Sequence, residues 1–432
     1  MDAVGQEQAE QRIARCNLTE TARQLAPNRD RRRLRAGIYA LLGDDRSLAS
    51  VIAPELIAAA NAPAVAAHFE ALTGGAQSHD YLAAAVRLSW ATDSTGAYDF
   101  FNEAHDRATA EKRFYFAVGA RERLAHHALL FGDAEVARTA LDDALRLALQ
   151  HRLSEWFARC SAAAARLALD MGDSEYAASL LARAKSHARD AEAVALLAPV
   201  GVSLAIEAGD EAGLAEWTSA EILEVALHSE ALESAIAATM ALLSTQRSSL
   251  DPGVSTALRR ALLQATGASV AVELFSLAAR HGEIEEARFA AESLGAQVGS
   301  NRKYIKAHAL LARAHLLFRG GERAAWVDQA GDAARAFNAM GLRRWMNEAM
   351  LLLVRQEGDD FPRRRGRSVG SALTGREQQV AHLIRRGARN REVAAALQIS
   401  EHTVERHVSS ILGRLGLRSR WQIADPKNMS QD

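Results

Sequence analysis

Glycine followed by an acid punctuates the middle of this chain at Gly132-Asp133, Gly172-Asp173, Gly209-Asp210, Gly282-Glu283 and Gly321-Glu322. The intervals are 40, 37, 73 and 39 residues, the longest being close to two units. The marker due inside that long interval falls near Ser244–Ser249, where the sequence turns polar (STQRSS). One period before Gly132 lies another polar turn, Asp93–Gly96. A spacing of this size is one pair of helices repeated along the chain, which points to an α-solenoid of the tetratricopeptide kind.

Each unit obeys the same local physics. A helix such as Phe114–Leu130 runs into a glycine, which closes it in the left-handed conformation. The acid then stands at the positive end of the next helix dipole. Ala134, Ala137, Ala140 and Ala144 allow close helix approach, and Leu141, Leu145 and Leu149 are expected to form the buried edge. Hydrophobic residues make up 49% of the chain, aromatics 6%, and prolines number seven, as an all-α fold requires. We expect a helical or partly disordered segment over 1–29 and six to eight repeat units over 30–356. The stretch 211–250 is the least regular.

Catalytic signatures do not emerge. The chain has no phosphate loop, H-E-x-x-H, G-x-S-x-G or dinucleotide fingerprint. His126 and His127 are adjacent, so they leave the helix on different faces and read as ordinary helix residues. Trp90, Trp156, Trp217, Trp326 and Trp345 read as packing. No enzyme activity, metal or cofactor is expected. Cys16 and Cys160 have no metal or redox spacing, the first residues lack an apolar leader, and the longest apolar run, Ala193–Ile206, contains Pro199 and is too short to span a bilayer. The expectation is a cytoplasmic protein without a membrane partner, acting at the nucleoid.

Charge separates the two ends. Between Phe361 and Ala424 thirteen arginines oppose four glutamates, a balance of +9, while residues 1–360 carry −9. A basic module attached to an acidic body suits a nucleic-acid partner. Residues 357–371 read as a basic linker containing Arg363, Arg364, Arg365 and Arg367.

Residues 372–426 divide into four short helices. Thr374 and Glu377 form a capping box for the first, whose dry face is Val380, Leu383 and Ile384. Asn390 is expected to cap the second, built on Val393, Ala394 and Leu397. Ser400 caps the third, where Val404, Val408, Ile411 and Leu415 make an apolar stripe. The opposite face is polar and of low bulk: His402, Arg406, Ser409 and Gly413, flanked by Thr403, Ser410 and Glu405. Such a surface can meet base edges in the major groove, with arginine bridging guanine and glutamate accepting from cytosine. Thr374, Asn390, Arg391, Ser400, His407 and Arg414 are the expected phosphate contacts. A fourth helix, with Trp421 and Ile423, offers a small dimer contact. A tail over 427–432 follows.

The patterns L-T-x-R-E (373–377), N-x-E-V-A (390–394), I-S-x-x-T-V-x-x-H (399–407) and L-G-L (415–417) closely resemble the LuxR-type DNA-binding domain. That resemblance implies a four-helix domain whose third helix reads double-stranded DNA and whose fourth mediates dimerisation. Two positions depart from it: Glu405 stands where such domains commonly carry lysine, and Pro426 stops the last helix early. More loosely, the body resembles the helical-repeat part of large ATP-binding LuxR-type regulators, including the run Arg29–Arg35 leading into ALLGDD (40–45). Their nucleotide-binding domain has no counterpart here.

The sequence therefore reads as a transcription regulator: a repeat body that receives a ligand or protein signal, followed by a DNA-binding module, with RNA polymerase and a second copy of the chain as further partners. Two other readings compete. A sigma-factor-like protein would share the helix-turn-helix pattern, and an interaction scaffold could carry a module that no longer binds DNA.

Overall fold

The structure is a computed structural model. It describes residues 94–246, 250–264, 272–296, 302–321, 323–359, 375–385, 388–397 and 399–415, with positions 11, 36, 38, 40, 78, 81–83, 85 and 86 before them. The described residues are overwhelmingly helical and contain no strand.

After the helical positions between 36 and 86, the continuously described part of the body begins with α1 (Ser94–Ala110), α2 (Phe114–Phe131), α3 (Ala134–Gln150), α4 (Ser154–Met171) and α5 (Ser174–Lys185). Next come α6 (Ala191–Ala208) and two short helices, α7 (Glu211–Trp217) and α8 (Ala220–His228). The rest of the body is α9 (Leu232–Ser244), α10 (Pro252–Gln264), α11 (Val272–His281), α12 (Ile284–Ala296), α13 (Lys303–Gly320), α14 (Arg323–Ala339) and α15 (Arg343–Asp359). Short α7 and α8 account for the irregularity expected over 211–250. The α9 helix ends at Ser244, where the missing marker was due. At the other end α15 runs to Asp359, three residues into the stretch read as linker.

The punctuation works at four of its five sites. Gly132, Gly172, Gly209 and Gly321 all adopt positive φ, between 68° and 90°, and each closes a helix. Asp173 and Asp210 then accept the backbone N–H of Tyr176 and Gly213, each at 3.0 Å. Asp133 makes no such cap and instead accepts from the Tyr98 hydroxyl at 3.2 Å. Gly282 does not take the left-handed conformation and simply donates its N–H to Ala278 at 2.8 Å.

Helices of a pair differ in burial. The outer helices α3 and α5 bury one stripe, led by Ala137, Leu141 and Ala144 in the first and Ala177, Leu180 and Ala184 in the second. Leu149 is not part of that edge: it is 54% exposed. Each i+4 step advances 40° beyond a full turn, so two steps from Leu141 carry the side chain off the stripe, and Leu147 and Ala148 are buried in its place. Inner helices are buried nearly all round. Alpha2, α4, α9 and α11 bring Phe116, Trp156, Ile236 and Phe275 inside, as expected of helices apolar on every face.

Late helices of the array fold back onto early ones. Alpha13 packs against α2, and α15 packs against α4. A methyl group built on Gly132 would lie 3.0 Å from Met340 Sδ and 3.1 Å from Lys303 Cβ, residues 208 and 171 positions away. Most inner residues consequently join one hydrophobic cluster running from Ala36 to Leu353.

One helix among the described residues, α6, is long and apolar enough to cross a membrane by length and composition. It contains Pro199, and its Ala195, Leu197, Ala198 and Val202 are buried in a second cluster with Trp217, Ile222 and Ala238.

Candidate nucleic-acid interface

The terminal module consists of α16 (Gly375–Arg385), α17 (Asn390–Leu397) and α18 (Glu401–Leu415). Its core is small and dry. Val380, Ala381, Leu383 and Ile384 of α16 meet Val393, Ala394, Ala396 and Leu397 of α17 and Val404 and Ile411 of α18, with Val408 half-buried beside them. The stripe expected on the third helix is thus the face turned inward, as far as Ile411.

Polar groups at the start of α16 fix the other two helices. Arg376 donates to the backbone carbonyl of Leu397 at the end of α17 and, at 2.9 Å, to Gln379 Oε1. Desolvation holds this guanidinium below its ordinary pKa. Glu377 is only 4% exposed, and its Oε1 accepts from the Ser410 hydroxyl at 2.5 Å. A carboxylate this buried keeps such a partner because an unpaired one would be costly. Sequence reading assigned Glu377 to a capping box with Thr374, which lies outside the described residues, and overlooked Arg376. Nothing in the local pattern distinguishes an arginine that braces a neighbouring helix from a solvated one.

Between α17 and α18 the chain turns over Ile399, whose N–H reaches Ala394 O at 3.0 Å. Ser400 caps α18: its Oγ accepts from Thr403 N at 3.1 Å and lies 2.8 Å from Thr403 Oγ1. The cap of α17 is Arg389, one residue earlier than expected. Its carbonyl accepts from Val393, and its N–H donates to Glu392 Oε2 at 2.8 Å, half of a capping box. Asn390 is the first residue inside that helix.

These constraints leave a definite surface. His402, Glu405, Arg406 and Ser409 are exposed on α18, with His402 Nδ1 3.8 Å from Glu405 Oε2. Thr403 and Ser410 are half-buried, and their hydroxyls are already engaged with Ser400 and Glu377. Of the expected phosphate contacts, Arg391 and Ser400 are exposed, and Asn390 and His407 half-buried. Gly413 and Arg414 lie in the last turn of α18, the Arg414 side chain being outside the described residues. Trp421 and Ile423 lie outside them as well.

The module rests on the body through α15. Met350 enters the module's core, with Met346, Leu351 and Ala334 packed at its edge. Alpha15 meets α16 and α17.

Comparison with known proteins agrees with this geometry. Residues 371–426 match the family model described as bacterial regulatory proteins, luxR family. The uncharacterized transcriptional regulatory protein YhcZ of Bacillus subtilis (strain 168) is 50% identical over 52 residues, 12% of this chain and 24% of that protein. The nitrate/nitrite response regulator protein NarP of Escherichia coli (strain K12) is 44% identical over 50 residues, 12% of this chain and 23% of its own. The chain thus spans about a quarter of each of these relatives, and no solved structure matches it significantly. Residues 371–426 are a LuxR-family helix-turn-helix domain, joined to a body of stacked helix pairs.

Proposed function

We propose that the chain is a sequence-specific DNA-binding transcription regulator, with α18 as the reading helix. The observation that carries this is the polar face of α18. His402, Glu405, Arg406 and Ser409 are exposed together while Val404 and Ile411 anchor the helix from behind. Arg406 is the group suited to a guanine edge and Glu405 to a cytosine amine, with Ser409 and Gly413 low enough in bulk to allow close approach. Thr403 and Ser410 play a supporting part, fixing the helix end and its roll. Phosphate contacts come from Arg391, the N-terminus of α18 at Ser400, Asn390, His407, Thr374 and Arg414.

The body, residues 30–356, receives a ligand or protein signal, and the stretch to 371 is a basic tether. Trp421 and Ile423 supply a dimer contact, RNA polymerase is a further partner, and the protein works in the cytoplasm at the nucleoid. Two findings support a coupled arrangement: the basic charge gathers at the module, and α15 belongs to the body's cluster and touches the module's core.

The test is a gel shift of fragmented genomic DNA with the full chain. A subset of fragments should shift at low protein concentration, with affinity falling steeply as salt rises. Uniform weak binding to all fragments would contradict sequence-specific reading.

A further inference from the structure

The last helix pair before the module, α14 and α15, is covered on two sides. One side belongs to the body: Trp326 and Phe337 of α14 and Trp345, Ala349 and Leu352 of α15 lie in its main cluster. The other side has no further repeat to cover it. It carries Met346, Met350 and Leu351 of α15 and Ala334 of α14, and the module packs there instead. Within the module, α16 and α17 are the helices that α15 meets.

A stacked array buries each helix pair between its neighbours, so the pair at either end keeps an apolar face that a cap has to cover. The module's core suits that contact. Ala381, Ala388, Ala394 and Ala396 give it only short side chains, and Met350, the long unbranched member of the cluster, enters from α15 and is left 7% exposed. The same helix is tied into the body by polar contacts. Arg344 reaches Asp170 of α4 at 3.5 Å and Ser203 of α6 at 3.1 Å. Glu348 stands 2.7 Å from Arg280 of α11 and 3.4 Å from His315 of α13.

We propose that the module is the C-terminal cap of the helical array. Alpha16 and α17 dock on α14 and α15 through Met350, so that the module and the last helix pair protect each other from opening. The covalent connection keeps the module close, and this contact fixes its orientation. The DNA-reading head is therefore mounted on the body. A rearrangement of the body reaches it through α15, whose Arg344 and Glu348 touch four other helices. That consequence rests on reading the body as the receiver of a signal; the cap itself does not, and its test uses no DNA.

The experiment is amide hydrogen exchange of the full chain, read by mass spectrometry on each side of the contact. Ile411→Asp places a charge in the module's core, where Ile411 is fully buried, and unfolds the module. Exchange in α14 and α15 should then speed up at least about tenfold while α3 keeps its protection. In the other direction, Met350→Asp should speed exchange in α16 and α17 by a similar factor. Met350→Leu, which nearly conserves volume, should leave both sides as they are in the unaltered chain. Unchanged exchange in α14 and α15 once the module is unfolded, or in α16 and α17 in the Met350→Asp chain, would overturn the cap. Should Met350→Asp unfold the whole body, the Ile411→Asp chain decides alone.

Discussion

Gly132 and Gly209 hold the same left-handed backbone in different surroundings, with φ of 90° and 68°. Nothing lies within 4 Å of a methyl group built on Gly209, whereas one on Gly132 meets Met340 and Lys303. Gly209→Ala should therefore lose only the left-handed cost, about 1 kcal/mol. Gly132→Ala should lose roughly 2–3 kcal/mol, because the contact with Met340 and Lys303 must also give. Urea unfolding of both variants checks the difference; equal losses would mean that the array does not close as described. Glycine punctuation was legible because few other residues tolerate this conformation. The intervening turns were not. Lys112 and Arg152, themselves 40 residues apart, take φ of 57° and 56° without a glycine to announce them. Ser410 shows the same limit in the module: helical angle places it beside the reading face, and only the fold reveals Glu377 beneath its hydroxyl.

At the scale of elements, α16 organises the module through side chains as much as through its apolar face. Arg376 joins its start to the end of α17, so Arg376→Ala should destabilise the module by about 1–3 kcal/mol, since it frees the Leu397 carbonyl and removes a charged donor. DNA affinity should fall on every sequence alike, with base preference unchanged; a changed preference would make Arg376 a reading residue instead. Ser400→Ala should cost about 1 kcal/mol through the lost cap of α18. Thermal melting and gel shift measure both. Placement of the three described helices of the module was readable from the sequence, because apolar spacing and the caps of α17 and α18 agreed within a residue. Arg376 was not, because its partner is a backbone carbonyl 21 positions away on another helix.

The whole molecule contains histidines that its folding keeps uncharged. His308 is fully buried, its Nδ1 2.7 Å from Ser276 Oγ, and desolvation followed by Arg344 lowers it to about 3. Burial, then the neighbouring His126, lowers His127 well below the usual range. Both are neutral in the native core and take up a proton on unfolding below about pH 6.5. Their contribution to stability is complete above that value and is lost as pH falls toward the folded pKa, by about 1.4 kcal/mol per pH unit for each. Urea unfolding between about pH 7.5 and 5 should show this slope, and His308→Gln should reduce it. A slope unaffected by that change would contradict a neutral native His308. The repeat itself was visible in the sequence, but its closure was not. Contacts such as Arg344 with Asp170 and Ser203, 174 and 141 residues apart, leave no local pattern.

The central claim is that α18 reads DNA through Arg406. Selection from a randomised duplex library, followed by affinity measurements on the preferred site and its single-base variants, tests it most directly. Arg406→Ala should cost about 1–3 kcal/mol on the preferred site and relax the preference at one base pair, while Arg391→Ala weakens all sequences alike and lowers the salt dependence. Equal losses on every sequence for both variants would contradict the assignment of Arg406 to base recognition.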